Sequence, residues 1–328
     1  MQNSLKFLDV FIGNRCNLAC EQCDTRSDVI RTSKNDPDLE NIKESITLAQ
    51  DNFAIEYYSM LGGEPLLYLS KVKEIVKFIR QRDTTGEILI PTNGTVLHKR
   101  FKELADLMLE YRVSLAICNH YAAFEDTALS DSIKNSGREF VKYLGLPQAD
   151  SHEFFIEMND WRNRDNDPNL KRFLELKNFD INNRTDPEEF YSNGDIWVWL
   201  RDQPTFHSHY RLDEFKKPKP FMSGNPTDSY TYGCCSSSCS FLHDKKLYKC
   251  GAIGTLRTFL EHHGSLDDPD WQKYLNYKAL DLTNCTPEEI KYFSDTKYRE
   301  VDTCDMCPSS GNFEFTKTRE RVIPIKAL

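Results

Sequence analysis

Residues 5–23 read LKFLDVFIGNRCNLACEQC, a strand pattern running straight into three cysteines. Leu5 to Ile12 is an apolar run that stops at Gly13, as expected for a buried strand. Cys16, Cys20 and Cys23 then form C-x3-C-x2-C within eight residues. Three thiolates on one short loop can hold three irons of a four-iron cubane, and no fourth cysteine lies near to complete a ferredoxin pattern. An iron left open suits a catalytic site, because structural metal sites close their coordination. The alternative for this loop is zinc, which prefers four ligands, commonly as two C-x2-C pairs, and fits an isolated C-x3-C-x2-C poorly.

Outward from this loop, strand-like and helix-like segments alternate. Leu39 to Asn52 has helical spacing of Ile42, Ile46 and Leu48 after Asp36-Pro37, and Phe53 to Met60 reads as a second strand closed by Gly62-Gly63. Ser70 is the expected cap of a helix with Val72, Ile75, Val76 and Ile79 on one face. Glu87 to Ile90 is a third strand, Phe101 to Met108 a further helix, and Val113 to Cys118 a fourth strand. This order predicts a mainly parallel sheet with right-handed crossovers, whose ligands bind beyond the carboxyl ends of the strands. Beyond about residue 150 the pattern weakens, although Phe154 to Met158 has strand character. Trp197 and Trp199, at alternating positions, are expected on the buried face of a strand.

Three motifs carry a family resemblance. GNRCNLACEQC is similar to the cluster loop of the radical S-adenosylmethionine (SAM) superfamily, Leu61-Gly62-Gly63-Glu64-Pro65 resembles that family's Gly-Gly-Glu-Pro segment, and Pro91-Thr92-Asn93-Gly94 follows the third strand. The resemblance implies a partial (β/α)6 TIM-like barrel over residues 1–229. Cys16, Cys20 and Cys23 would hold a [4Fe-4S] cluster whose open iron is chelated by SAM. Gly62, Gly63 and Glu64 would receive the SAM amino group, Thr92 and Asn93 would lie near its ribose or methionine part, and Cys118 and Asn119 would supply further polar contacts. One departure is Gln22, where the family usually carries an aromatic or apolar residue.

The carboxyl third holds Cys234, Cys235, Cys239, Cys250, Cys285, Cys304 and Cys307. Cys304-Asp305-Met306-Cys307-Pro308 is a ligand pair followed by proline, and Cys250 follows the expected hairpin LHDKKLYKC. The order resembles the twitch or SPASM extensions of radical SAM enzymes, with Lys245 where their hairpin glycine stands. The resemblance implies a small α+β domain over residues 230–328 with one auxiliary [4Fe-4S] cluster. Its ligands would be Cys250, Cys304 and Cys307, with Cys235 or Cys239 as the fourth; a structural zinc ribbon is the alternative. Thr286-Pro287-Glu288-Glu289 has the form of a helix start with a capping box, and Cys285 before it reads as a buried small residue.

Composition narrows the partners. Against 51 Asp and Glu stand 42 Lys and Arg, a net charge of −9 that is the wrong sign for binding nucleic acid or an anionic membrane. Eleven cysteines with no apparent signal peptide favour metal ligation in the cytoplasm over disulfides. By the resemblance, a flavodoxin- or ferredoxin-type donor would reduce the first cluster, and reductive SAM cleavage would yield a 5'-deoxyadenosyl radical that abstracts hydrogen. The expected substrate is a small or sugar-containing molecule, with an auxiliary cluster taking part in its oxidation. The alternative enzyme is a maturase of a ribosomally made peptide; the non-enzymatic alternatives are a zinc-stabilised binding protein and a simple electron carrier.

Overall fold

The computed structural model describes residues 3–20, 22–23, 25–30, 36–120, 127–149, 189–202, 205–207, 209–233, 239–297, 299–309 and 315–317. In its first half β1 (Ser4–Phe11), α1 (Ser27–Ile30), α2 (Leu39–Asn52), β2 (Ala54–Leu61), α3 (Leu69–Arg82), β3 (Glu87–Thr92), α4 (Phe101–Tyr111), β4 (Val113–Asn119) and α5 (Thr127–Leu144) follow one another. Later strands are β5 (Glu189–Ser192), β6 (Trp197–Asp202), β7 (Thr205–His207), β8 (Arg211–Leu212), β9 (Pro218–Lys219), β10 (Cys239–His243), β11 (Lys246–Tyr248), β12 (Leu280–Asp281) and β13 (Phe315–Lys317). Nine of these thirteen strands form one sheet in the order β12-β11-β10-β1-β2-β3-β4-β6-β5. The run from β10 to β6 is parallel, and antiparallel strands close both edges. The mainly parallel α/β sheet expected from the alternation is therefore present.

The core sits between this sheet and helices α2 to α5. Ile42 and Ile46 of α2, Val72, Ile75 and Ile79 of α3, Leu104 and Met108 of α4 and Phe140 of α5 are buried against Leu8, Ile88, Leu115 and Val198 of the strands. The period of 3.6 on the helices and of 2 on the strands puts these residues on facing surfaces. On the opposite face of the sheet Ala116, Phe190, Trp197 and Trp199 make a smaller cluster, so both tryptophans are buried as their alternation predicts.

Ser70 does not cap α3, contrary to the sequence reading. The helix begins at Leu69, with Tyr68 at its N-cap making no side-chain cap bond, because Pro65 starts a 3-10 turn over Pro65–Tyr68 that leads directly into it. The capping box at Thr286 and Glu289 is formed, with each side chain bonded to the other's backbone N–H. The expected strand at Phe154 to Met158 lies outside the described residues. No helix among the described residues is long and apolar enough to cross a membrane.

The sheet also crosses residue 230. β10 pairs in parallel with β1, matching Phe7 to Cys239 and Val10 to Leu242, so the cysteine-rich hairpin hangs from the strand that leads into the first cysteine loop. His243 on β10 stands edge-on to Phe11, with ring centroids 4.9 Å apart. Burial pushes its pKa below the ordinary histidine value, and the native chain holds it neutral. With a depressed folded pKa, its contribution is lost as pH falls through the unfolded value of about 6.5 towards the folded one. Stability should therefore fall between pH 7 and pH 5, more gently in His243→Phe. His263, also held down by burial, retains part of the slope. Denaturant titrations across this range check the expectation, and identical slopes for both proteins would reject it.

Candidate active site

The loop after β1 and the turn after β2 are joined through their main chains. Ile12 N donates to Leu61 O at 2.8 Å, Gly63 N to Gly13 O at 2.9 Å and Glu64 N to Arg15 O at 2.8 Å. This approach tolerates no side chain: a Cβ on Gly63 would lie 2.0 Å from the Arg15 carbonyl oxygen, and one on Gly62 2.4 Å from that of Gly13. From the other arm of the loop, the Thr25 hydroxyl donates to Gly62 O at 2.8 Å and lies 3.4 Å from Cys23 Sγ. Asp36 and Tyr68 secure the first arm. The Tyr68 hydroxyl donates to Asp36 at 2.6 Å and receives Arg15 N, while Asn14 N donates to the other Asp36 oxygen.

Glu64 fastens this assembly to the end of β3. Its carboxylate accepts the Leu66 N–H at 2.9 Å, the Thr92 hydroxyl at 2.6 Å and the Asn93 N–H at 2.8 Å, and it is fully buried. Burial pushes its pKa up, against the pull of these three donors. The Asn93 side chain donates to Asn17 at 3.0 Å and approaches Cys16 Sγ, and Asn17 in turn donates to Thr95 at 2.7 Å.

Cys16, Cys20 and Cys23 line one solvent-open cleft of about 710 Å³ at the carboxyl ends of the parallel strands. Gly62, Gly63 and Glu64 line it from the second turn, Thr92 and Asn93 from the third, and Cys118 from β4. Asn119 does not join them. Strand alternation turns it to the other face, where it donates to Ser130 and Asp202. In its place the cleft acquires His120 and Arg201. Arg201 donates from Nε to Cys118 Sγ at 3.2 Å and lies 4.5 Å from the Trp199 ring centroid. The sequence reading missed Thr25, Asp36, Tyr68 and Arg201. The Asp36-Pro37 signal was visible but reads equally as an ordinary helix start.

The donor set suits an iron-sulfur cluster. Burial first, then the Glu64 charge, pushes the Cys16 thiol up, so losing its proton calls for positive charge of the kind bound irons bring. Leu18 N–H at 3.4 Å and the Asn93 amide face its sulfur, and such donors stabilise a ligating thiolate. Among the described residues no three or more His, Cys, Asp or Glu side chains gather closely enough to hold a single metal ion. A cubane spreads its ligands over separate irons, which is compatible with thiols that line a cleft without converging.

In the carboxyl third, Cys250 takes an extended conformation before the helix Gly251–Gly254, and Cys304 and Cys307 bracket the end of a 3-10 turn at Asp302–Met306. Cys250 and Cys307 pack on one small core with Trp271, Tyr274 and Met306. Burial pushes the Tyr277 phenol up, and nearness to Cys250 and Cys304 adds in the same direction. Cys234 and Cys235 lie outside the described residues. Cys285 is half-buried against the main core, as a small apolar residue would be.

Residues 10–141 match the sequence model of the Radical SAM superfamily, a family whose cofactors are a [4Fe-4S] cluster and SAM. Among curated relatives, the GTP 3',8-cyclase of Microcystis aeruginosa is 30% identical over 111 residues, 33% of this chain and 32% of that one. The GTP 3',8-cyclase of Alkaliphilus metalliredigens is 26% identical over 117 residues, 35% of this chain and 36% of its own. The chain thus spans about a third of the length of the curated relatives it matches. Crystal structures of Streptococcus suis SuiB, bound to S-adenosylmethionine and to the precursor peptide SuiA, align at 13% identity with TM-scores of 0.44 and 0.45. They cover 90% and 93% of this chain and 67% and 70% of theirs.

Two stability predictions follow from local geometry. Gly63→Ala should cost about 2–3 kcal/mol or more, because the added carbon must push the two joined loops apart; an unchanged melting temperature would contradict the close approach. At the β10–β11 turn Asp244 and Lys245 have φ of 49° and 60°, a conformation that favours glycine at the second position. Lys245→Gly should stabilise the chain by up to about 1 kcal/mol, since relief of left-handed strain outweighs the half-exposed Lys245–Glu44 ion pair at 2.8 Å. Denaturant midpoints for this variant decide the sign.

Proposed function

We propose that this chain is a radical SAM enzyme in which Cys16, Cys20 and Cys23 would hold a [4Fe-4S] cluster in the cleft that Cys118, His120 and Arg201 also line. The observation that carries this reading is the meeting of the three thiols with the Gly62-Gly63-Glu64 turn in one cleft. When bound and reduced, the cluster and SAM together supply a radical able to abstract a hydrogen atom from the substrate. The protein's part is to position and to exclude water.

Within the turn, the Gly62 carbonyl accepts Thr25 and the Glu64 carbonyl accepts Leu67 N–H. No donor among the described residues reaches the carbonyl of Gly63. That oxygen is the proposed acceptor for the SAM amino group. Glu64 serves by holding the turn, since its carboxylate is already engaged by three protein donors.

The carboxyl third is proposed to hold the auxiliary cluster through Cys239, Cys250, Cys304 and Cys307. The β10–β11 register pairs Phe241 with Tyr248; continued by two residues, it sets Cys239 opposite Cys250. Opposite residues of an antiparallel pair share a face, which favours Cys239 over Cys235 as the fourth ligand. A cluster closed by four cysteines would exchange electrons with the substrate radical rather than bind the substrate. The proposed substrate is a small or sugar-containing molecule.

Anaerobic reconstitution with iron and sulfide tests the proposal. About eight irons per chain, two cubanes' worth, are expected, together with a reduced-cluster spectrum altered by SAM and formation of 5'-deoxyadenosine, with both SAM responses abolished in Cys20→Ala. Stoichiometric zinc, or clusters indifferent to SAM, would reject it. Product screens with cell metabolites and with short peptides then separate the small-molecule enzyme from a peptide maturase.

A further inference from the structure

Two residues of the first cysteine loop stand in a backbone conformation that their side chains do not favour. Gln22 has φ 59° and Arg26 has φ 56°, both left-handed, and neither is glycine. Each costs of the order of the strain common at functional sites. Both side chains leave the loop for later parts of the chain, Gln22 for the segment at residues 209–210 and Arg26 for the helix after Cys250. Gln22 donates to Tyr210 O at 3.1 Å and accepts His209 N–H at 3.0 Å. Arg26 donates to Ala252 O at 3.2 Å, and its guanidinium lies 4.0 Å from the Phe259 ring centroid and 5.8 Å from that of Tyr210.

Arg26 is fully buried, which is rare for arginine. It is also close to the ligands in the chain: its N–H donates to the Cys23 carbonyl at 2.7 Å, and Thr25, which touches Cys23 Sγ, precedes it. Its other end reaches the second residue after Cys250, inside the helix that Cys250 caps. One buried cation therefore bridges the two cysteine regions. Its field is felt across the junction, because burial, His262 and then the Arg26 charge all hold His263 towards its neutral form. Iron-sulfur potentials respond to nearby charge and to burial, and a buried charge is little screened.

We infer that Arg26 is a positioning residue that raises the reduction potential of the cluster held by Cys16, Cys20 and Cys23 while fixing that cluster's loop against the cysteine-rich region. The inference rests on the cluster reading above. Adding one electron to the cluster increases its negative charge, and a fixed cation nearby favours the more negative state. Removing the cation makes the same one-electron reduction harder. The stacking on Phe259 and the bond to Ala252 keep the charge at a constant distance from the loop.

The test is a dithionite redox titration of the reconstituted full chain, followed by the paramagnetic signal that changes when SAM is added, which marks the first cluster. In Arg26→Gln the midpoint should shift to a more negative potential at unchanged iron content, and in Arg26→Lys it should stay near that of the unaltered chain. An unchanged midpoint in Arg26→Gln with full iron content overturns the inference and leaves the proposed function standing. If Arg26→Gln does not fold, Arg26→Met removes the same charge and is read in the same way. Loss of iron from both of these, with Arg26→Lys fully loaded but its midpoint shifted to a more negative potential, also overturns it. An unaltered chain that takes up no SAM-responsive cluster overturns both the inference and the function on which it rests.

Discussion

Gly63 packs so closely on the loop after β1 that an added Cβ would sit 2.0 Å from the Arg15 carbonyl oxygen. The rest of the site depends on that contact. It lets two main-chain bonds, Gly63 to Gly13 and Glu64 to Arg15, set the loop at a fixed height above the sheet. With the loop held there, Thr25 can close over Gly62 and Asn17 can meet Asn93 across the cleft. Glu64 extends the constraint sideways to β3 through Thr92 and Asn93. A buried carboxylate with three donors is costly to displace, since breaking any one bond exposes a charge or an unpaired polar group to an apolar surrounding. Three loops at the ends of three neighbouring strands thus behave as one rigid rim, which is what positioning of reactive groups requires.

β1 is shared by both cysteine regions. On one side it pairs with β2, whose turn holds the first loop, and on the other with β10, whose hairpin leads to Cys250. The two regions are therefore neighbours across a single strand of one sheet. Lys249, next to Cys250, reinforces the far side by donating to the carbonyl of Lys297 at 2.9 Å and to that of Arg299, beyond the helix Pro287–Thr296. Such an ammonium also favours the negative end of a helix.

The first half of the fold was legible because its periodicities are strong: Leu39 to Asn52 is helical as expected, and the four strands lie within about a residue or two of their expected places. The motif residues were legible because each follows a strand whose end faces the cleft. Asn119 escaped because β4 continues to that residue, so strand alternation places Cys118 and Asn119 on opposite faces. Arg201 escaped for the opposite reason. It reaches the site through pairing of β6 with β4, opposite Cys118, a contact between positions 83 apart that no local pattern announces. The joining of β10 to β1 is equally non-local, and nothing in LHDKKLYKC tells which strand it pairs with.

Gln22 shows how a departure from a family pattern acquires a physical reason. An aromatic or apolar side chain at this position would present no hydrogen-bonding groups to the backbone of His209 and Tyr210. The carboxamide supplies both an acceptor and a donor, matching the His209 N–H and the Tyr210 carbonyl as another strand would. Burial makes that match necessary, because an unpaired backbone group at such a junction costs more than the bond returns when formed. Left-handed strain at Gln22 and Arg26 is opposed by these bonds and by the guanidinium's stacking on Phe259. The side-chain type at position 22 follows from what the neighbouring segment leaves to be bonded, so the polar residue there belongs to the way this chain joins its first cysteine loop to residues 209–210.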